Sequence, residues 1–195
     1  MQNGSMPARL DLKLVRQLAG CFPDNAQVWR TLSTRDFIAD RAGRFFSDWS
    51  SIKHLEEIGG VYAILLPVAW FSAPRTLHLH APHSHKGVPI PFEFTIPELT
   101  IDGYGVVYVG RSANLAQRWR GHLTPGDRNK GGQVKYGLAD CEFEADLTRA
   151  LQALRENARI VYTVLSGPDQ CANRDILECS LCARFGPPFN IKSER

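Results

Sequence analysis

Three short apolar runs constrain this chain more than any other feature: Ile58-Gly-Gly-Val-Tyr-Ala-Ile-Leu-Leu66, Gly105-Val-Val-Tyr-Val109 and Arg159-Ile-Val-Tyr-Thr-Val-Leu165. Each is short and apolar, and the first lies between two glycines and Pro67, which is the pattern of a buried strand. The segments around them carry helical signals instead. In LDLKLVRQLAG, Leu10, Leu14 and Leu18 recur on a helical period that Gly20 closes. NAQVWRTL and RDFIADRAGRFFSDW continue the helical reading, with Asp24 and Thr34 as N-caps. Ser112 caps a helix over 113–123, and a loop runs from Pro125 to Gly132. A further helix is expected over 145–157, and a last one opens at Asn173 or Asp175 and ends near Phe185 before Gly186-Pro-Pro. Residues 67–104, rich in proline and histidine and containing FEFTI, read as an insertion with a short hairpin. The expected fold class is α+β: a small three-stranded sheet flanked by helices. A helical N-terminal extension occupies 1–57, the core 58–191 with its insertion at 67–104, and a tail 192–195.

The 195 residues suffice for one domain with a sizeable core. A hydrophobic share of 44% against 22% charged is that of an ordinary globular chain rather than a disordered one. The formal charge of +3 is too small to argue for a nucleic-acid partner by itself. Five cysteines, an odd number with no secretory pattern ahead of them, lead to the expectation of a reduced, cytoplasmic protein. No apolar run approaches the ~20 residues of a membrane span. The opening MQNGSMP reads as an appended leader, with Met6 as the expected native start.

The chemistry concentrates in VYVGRSANLAQRWRGH, residues 107–122. Asn114, Arg118 and His122 are spaced to share one helix face, and Leu115 and Trp119 lie on a neighbouring face able to pack on the sheet. An amide, a guanidinium and an imidazole beside the strand-end Tyr108 suit a phosphate, to which arginine offers a two-pronged fork. Between Val109 and Tyr136 the basic residues are Arg111, Arg118, Arg120, Arg128, Lys130 and Lys135, against the single acid Asp127. Residues 137–156 reverse the sign, with Asp140, Glu142, Glu144, Asp146 and Glu156 against Arg149 and Arg155. Such segregation fits a polyanion-binding face with a solvated back. The alternative is an ordinary exposed helix followed by a lysine-rich loop.

Three further features join this one. Gly60-Val-Tyr62 lies on the first strand and Tyr108-Val-Gly110 on the second. Glu178 lies on the last helix, within DILECSLCARFGPPFN, and Asn190 follows twelve residues later. With these the sequence resembles the GIY-YIG nuclease family over roughly residues 59–191. The resemblance implies an active site of Tyr62, Tyr108, Arg118, His122, Glu178 and Asn190, in which Glu178 holds one Mg²⁺ per site and Mn²⁺ can substitute. Tyr62 is then the general base, with His122 accepting its proton or orienting the phenol; Tyr108 bonds the phosphate or the attacking water, and Asn190 orients a reacting group. Arg111, Asn114, Arg120, Arg128, Lys130 and Lys135 would contact double-stranded DNA. The implied function is that of a Mg²⁺-dependent DNA endonuclease, most like the type II restriction enzymes and acting as a homodimer, with no membrane partner. A non-specific or structure-specific nuclease of toxin, phage or repair origin is the nearest rival, and a catalytically idle DNA-binding module is the rival of another class. One departure stands out: the family's two tyrosines usually lie closer together, whereas residues 67–104 separate them here.

Two other patterns carry weaker signals. His78, His80, His83 and His85, in HLHAPHSH, have spacing able to ligate zinc. They sit in the insertion, where a surface or DNA-contacting loop is the competing reading. Cys179-Ser-Leu-Cys182, with Cys171 upstream, is either a zinc or redox motif or a pair of small buried hydrophobes on a helix.

Overall fold

The computed structural model describes residues 10–35, 54–71, 75–85, 88–94, 100–125 and 133–190; over 75–94 it describes the backbone course. Seven strands occur among them: β1 (Arg30–Ser33), β2 (Gly60–Pro67), β3 (Arg75–His85), β4 (Val88–Phe94), β5 (Thr100–Ile101), β6 (Tyr104–Ser112) and β7 (Arg159–Val164). The described helices are α1 (Leu12–Gly20), α2 (Leu115–Leu123), α3 (Gln133–Glu142), α4 (Leu147–Asn157) and α5 (Cys171–Phe185). No helix among the described residues is long and apolar enough to cross a membrane.

The molecule is α+β, and its main sheet has five antiparallel strands in the order β1-β7-β2-β6-β5. The three expected strands are the middle three. The three-stranded expectation is corrected at both edges, each for a local reason. β1 begins within NAQVWRTL, expected to be helical. Trp29 just before it is buried and its indole N–H donates to the Leu18 carbonyl at 2.9 Å, which ends the helical course and lays Arg30–Ser33 along β7. The extension is therefore not wholly helical; RDFIADRAGRFFSDW lies, apart from Arg35, outside the described residues. At the other edge β5 turns back onto β6 through Asp102 and Gly103, both with positive φ. The insertion leaves the sheet after Pro67 and includes a separate antiparallel pair, β3 and β4. β2 still pairs with β6 along its length, with a bulge between Ile64 and Leu65.

Strand alternation builds two cores, one on each face of the sheet. Tyr62, Ile64 and Leu66 of β2 face one way, with Tyr108 of β6, and are covered by α2, α3 and α4 through Leu115, Trp119, Val134, Leu138, Ala150 and Leu154. Val61, Ala63 and Leu65 face the other way, with Val106 and Val109, and are covered by α1 and α5 through Val15, Leu18, Leu177, Leu181 and Phe185. Capping fixes several helix starts. Asp11 accepts from Leu14 N at α1, and Asp146 accepts from Thr148 N and Arg149 N at α4. Helix α3 was not expected. It is buried along most of its length, so it lacks the one-sided stripe by which a surface helix is read, and Gly137 interrupts it. That glycine has a packing reason: a Cβ there would lie 2.6 Å from Cδ1 of the buried Phe189 ring.

Candidate active site

Register decides which side chains meet. Tyr62 pairs with Gly110 across the β2–β6 ladder, and Tyr108 pairs with Ile64. Tyr62 and Tyr108 are therefore diagonal neighbours on one face, with ring centroids 6.1 Å apart. Gly110 is what lets them share it. A Cβ at that position would stand 2.7 Å from the Tyr62 hydroxyl and 2.7 Å from Tyr108 Cε1.

Helix α2 follows β6 after a tight turn and returns over these rings. Asn114 is its N-cap, its side-chain oxygen accepting from Gln117 N at 2.8 Å. Ser112, expected in that role, instead holds the Asn114 backbone, its Oγ accepting from Asn114 N at 3.0 Å. Asn114 is thus a helix cap through its side-chain oxygen. Trp119 is fully buried and meets Tyr162 and Tyr62 edge-on at 5.1 and 6.2 Å. Its packing aims the next face of the helix at the phenols. Arg118 Nε donates to Tyr62 Oη at 3.2 Å and Nη2 to Tyr108 Oη at 3.0 Å. His122, one turn on, shares a proton with Tyr62 through Nε2 at 2.7 Å.

These contacts set the charge states. Burial, reinforced by Tyr108, pushes the Tyr62 phenol well above its ordinary range, and the opposing pull of Arg118 does not reverse it. Tyr108 is raised for the same first cause, with Arg118 again opposing. His122 is held well below the usual imidazole range by burial, then by the cations Arg118 and Lys135. The trio at the centre is therefore two neutral phenols and a neutral imidazole around a charged guanidinium.

Glu178 arrives from α5, the helix on the opposite face of the sheet, and reaches the same place around β6. A cleft of about 260 Å³ is lined by Tyr108, Arg118, Gln133, Glu178, Cys179, Cys182 and Asn190. Glu178 Oε2 accepts from Arg111 Nε at 2.9 Å, and Arg111 Nη1 also pairs with Asp175 Oδ1 at 2.8 Å. Burial pushes the Glu178 carboxyl up, against the lowering pull of Arg111. Asp175 and Glu178, one helical turn apart, both meet Arg111, a contact that no local pattern in the sequence signals. No group of three or more histidine, cysteine or acidic side chains able to hold a metal occurs among the described residues. Glu178 is the carboxylate that lines the cleft. One partly exposed carboxylate suits Mg²⁺, which takes oxygen ligands and keeps most of its waters.

Several expected roles change. Asn190 lines the cleft, yet its amide is bonded to the strand: Oδ1 accepts from Val109 N at 2.7 Å, and Nδ2 donates to Val109 O at 2.6 Å. With Phe189 N donating to Val107 O at 3.0 Å, residues 189 and 190 close the edge of β6 beyond the reach of β5. Asn190 therefore holds Tyr108 through its strand. Lys135, expected on DNA, is 2% exposed. Its Nζ donates to Gly121 O at 2.9 Å and Thr124 O at 2.6 Å, closing the C-terminal end of α2 where a cation is favoured. Arg120 is paired with Glu56 at 2.7 Å, and Arg111 with Glu178 and Asp175 as above, so both charges are offset within the chain. Arg128 and Lys130 lie outside the described residues, as do the side chains of His78, His80, His83 and His85. Cys179 and Cys182 stand on the cleft wall, and all five cysteines are free thiols.

No family model, curated protein or solved structure matches this chain.

Proposed function

We propose that this chain is a Mg²⁺-dependent DNA endonuclease of the GIY-YIG type, cutting phosphodiester bonds. One observation carries the reading: Tyr62, Tyr108 and Arg118 are hydrogen-bonded together, and Glu178 lines the cleft that Tyr108 and Arg118 open into. These residues lie far apart in sequence and on elements from both faces of the sheet. The arrangement suits a phosphodiester: Arg118 is a charged fork beside two phenol groups, able to meet charge that grows on the phosphorus oxygens. Glu178 would hold the Mg²⁺, which when bound stabilises a non-bridging and a leaving oxygen. Tyr62 would take a proton from the attacking water while passing its own to His122 Nε2. Passing the proton on avoids a buried phenolate, which the raised Tyr62 pKa disfavours, and the bound phosphate's negative charge would have to offset the imidazolium formed, since burial, Arg118 and Lys135 hold His122 low. Tyr108, with Arg118 on its hydroxyl, would hold the phosphate or the water.

Within this class the reading is a sequence-specific type II restriction enzyme working as a homodimer. Plasmid digestion with purified protein and Mg²⁺ tests it. Discrete fragments support the restriction reading, and a smear or random nicks support the non-specific nuclease. Glu178→Ala is expected to abolish cleavage while retaining DNA binding. Wild-type turnover in that variant would reject the metal assignment, and DNA binding with no cleavage by the wild type would leave the idle binding module.

A further inference from the structure

Gln133 opens α3 with only 8% of its surface exposed, on the wall of the cleft that Tyr108, Arg118 and Glu178 also line. Its amide nitrogen Nε2 is buried and has no hydrogen-bond partner among the described residues. Buried amide donors are almost always matched, because the water they lose must be replaced. Gln133 is set beside apolar side chains of α3: Val134, Leu138 and Ala139 after it are fully buried. An unmatched donor beside a guanidinium and a phenol group is completed by an oxyanion. Glu178, across the same cleft, is engaged by Arg111.

We propose that Gln133 is a phosphate-binding residue, its Nε2–H donating to a non-bridging oxygen of the same phosphodiester that Arg118 and Tyr108 hold. The identification of that phosphate as a DNA linkage rests on the nuclease reading; the anion site itself does not. Being neutral, Gln133 fixes the direction of the phosphate rather than its charge balance, so its loss falls on the rate of the bond-breaking step more than on overall DNA affinity.

Inorganic phosphate is the probe. It is titrated into ¹⁵N-labelled full-length protein, and the side-chain amide pair absent from Gln133→Leu is followed. In the wild type that pair is expected to shift and saturate. In Gln133→Leu the apparent phosphate affinity, read from backbone amides of α2, is expected to fall about tenfold, and plasmid cleavage with Mg²⁺ roughly 100-fold. The melting temperature should hold or rise, since an unmatched buried donor has been removed. Gln133→Met, which keeps the length without the amide, should behave alike. An amide pair that ignores phosphate, or wild-type cleavage in both variants, overturns the proposal. So does a lowered melting temperature in both, which would show an internal partner for the amide. If the wild type binds phosphate through Gln133 but cuts no DNA, the anion site stands and the nuclease reading falls.

Discussion

Two phenol groups occupy the space where a side chain at Gly110 would be. The hydroxyl of Tyr62 and the ring edge of Tyr108 both lie 2.7 Å from the missing Cβ, and both rings are anchored, one by His122 and both by Arg118. Gly110→Ala must displace one of them. Overpacking of this kind costs about 1–3 kcal/mol, and a shift near 1 Å at a reacting group costs roughly 100-fold in rate. Thermal denaturation and plasmid cleavage read the two effects; wild-type activity in the alanine variant would mean the phenols need not sit as they do. His122 gives a second test at this scale. Its pKa is lowered in the fold, chiefly by burial. The unfolded imidazole takes up a proton near pH 6.5, and the folded one does so only at lower pH. The stability this provides is full above about pH 6.5 and is lost as pH falls toward the folded value. Between pH 6.5 and 5.5 the wild type should lose about 1 kcal/mol more than His122→Gln, measured by urea denaturation. Parallel curves would show that His122 is charged or solvated in the folded protein.

Among the elements, α2 depends on residues outside itself. Its C-terminal carbonyls at Gly121 and Thr124 are closed by the Lys135 ammonium, which comes from the first turn of α3. Lys135→Met keeps the stem and removes the charge. It is expected to lower stability by about 1–3 kcal/mol while leaving the salt dependence of DNA binding unchanged. A lysine on a phosphate would instead reduce that slope by about one. Fluorescence anisotropy across a salt series separates the outcomes, and a reduced slope would return Lys135 to the DNA face. Lys135 also marks where the sequence stopped being legible. The strands holding Tyr62 and Tyr108, the helix holding Arg118 and His122, and the helix holding Glu178 could all be read, because each has a strong local pattern. Charge alone did not tell a lysine that closes a helix from one that meets a phosphate, since the difference is the distance from Nζ to carbonyls 11 and 14 residues away. For the same reason Asn190 was legible as a site residue but not as a strand closer: its partner Val109 is 81 positions distant. Helix α3, and Gln133 with it, gave no signal because burial on nearly every side erases helical periodicity.

Across the whole molecule, the candidate site draws on both faces of the sheet. The phenols, Arg118 and His122 come from the side of α2, α3 and α4, and Glu178 comes from α5 on the other. Among the described residues this cleft is a single site, and under the proposed function one such site would cut one strand of a duplex at a time. The charges bear on how the chain would meet DNA under the proposed function. Three of the residues expected to contact it, Arg111, Arg120 and Lys135, are engaged within the protein, and the formal charge of the whole chain is only +3. Long-range attraction by a single copy is therefore modest, and a double-strand cut requires either two copies acting together or one copy acting twice. These differ in concentration dependence. If two chains act as a dimer, supercoiled plasmid should pass to the linear form with little nicked circle once the protein exceeds its dimerisation range. Below that range nicked circle should accumulate, and the rate should rise more steeply than the first power of protein concentration. Gel analysis of time courses over a hundredfold range of concentration, with sedimentation of the DNA complex, checks this. A rate strictly proportional to protein concentration, with nicked circle always preceding the linear form and a single copy sedimenting on DNA, would show that each chain cuts alone and would remove the homodimer from the proposed function.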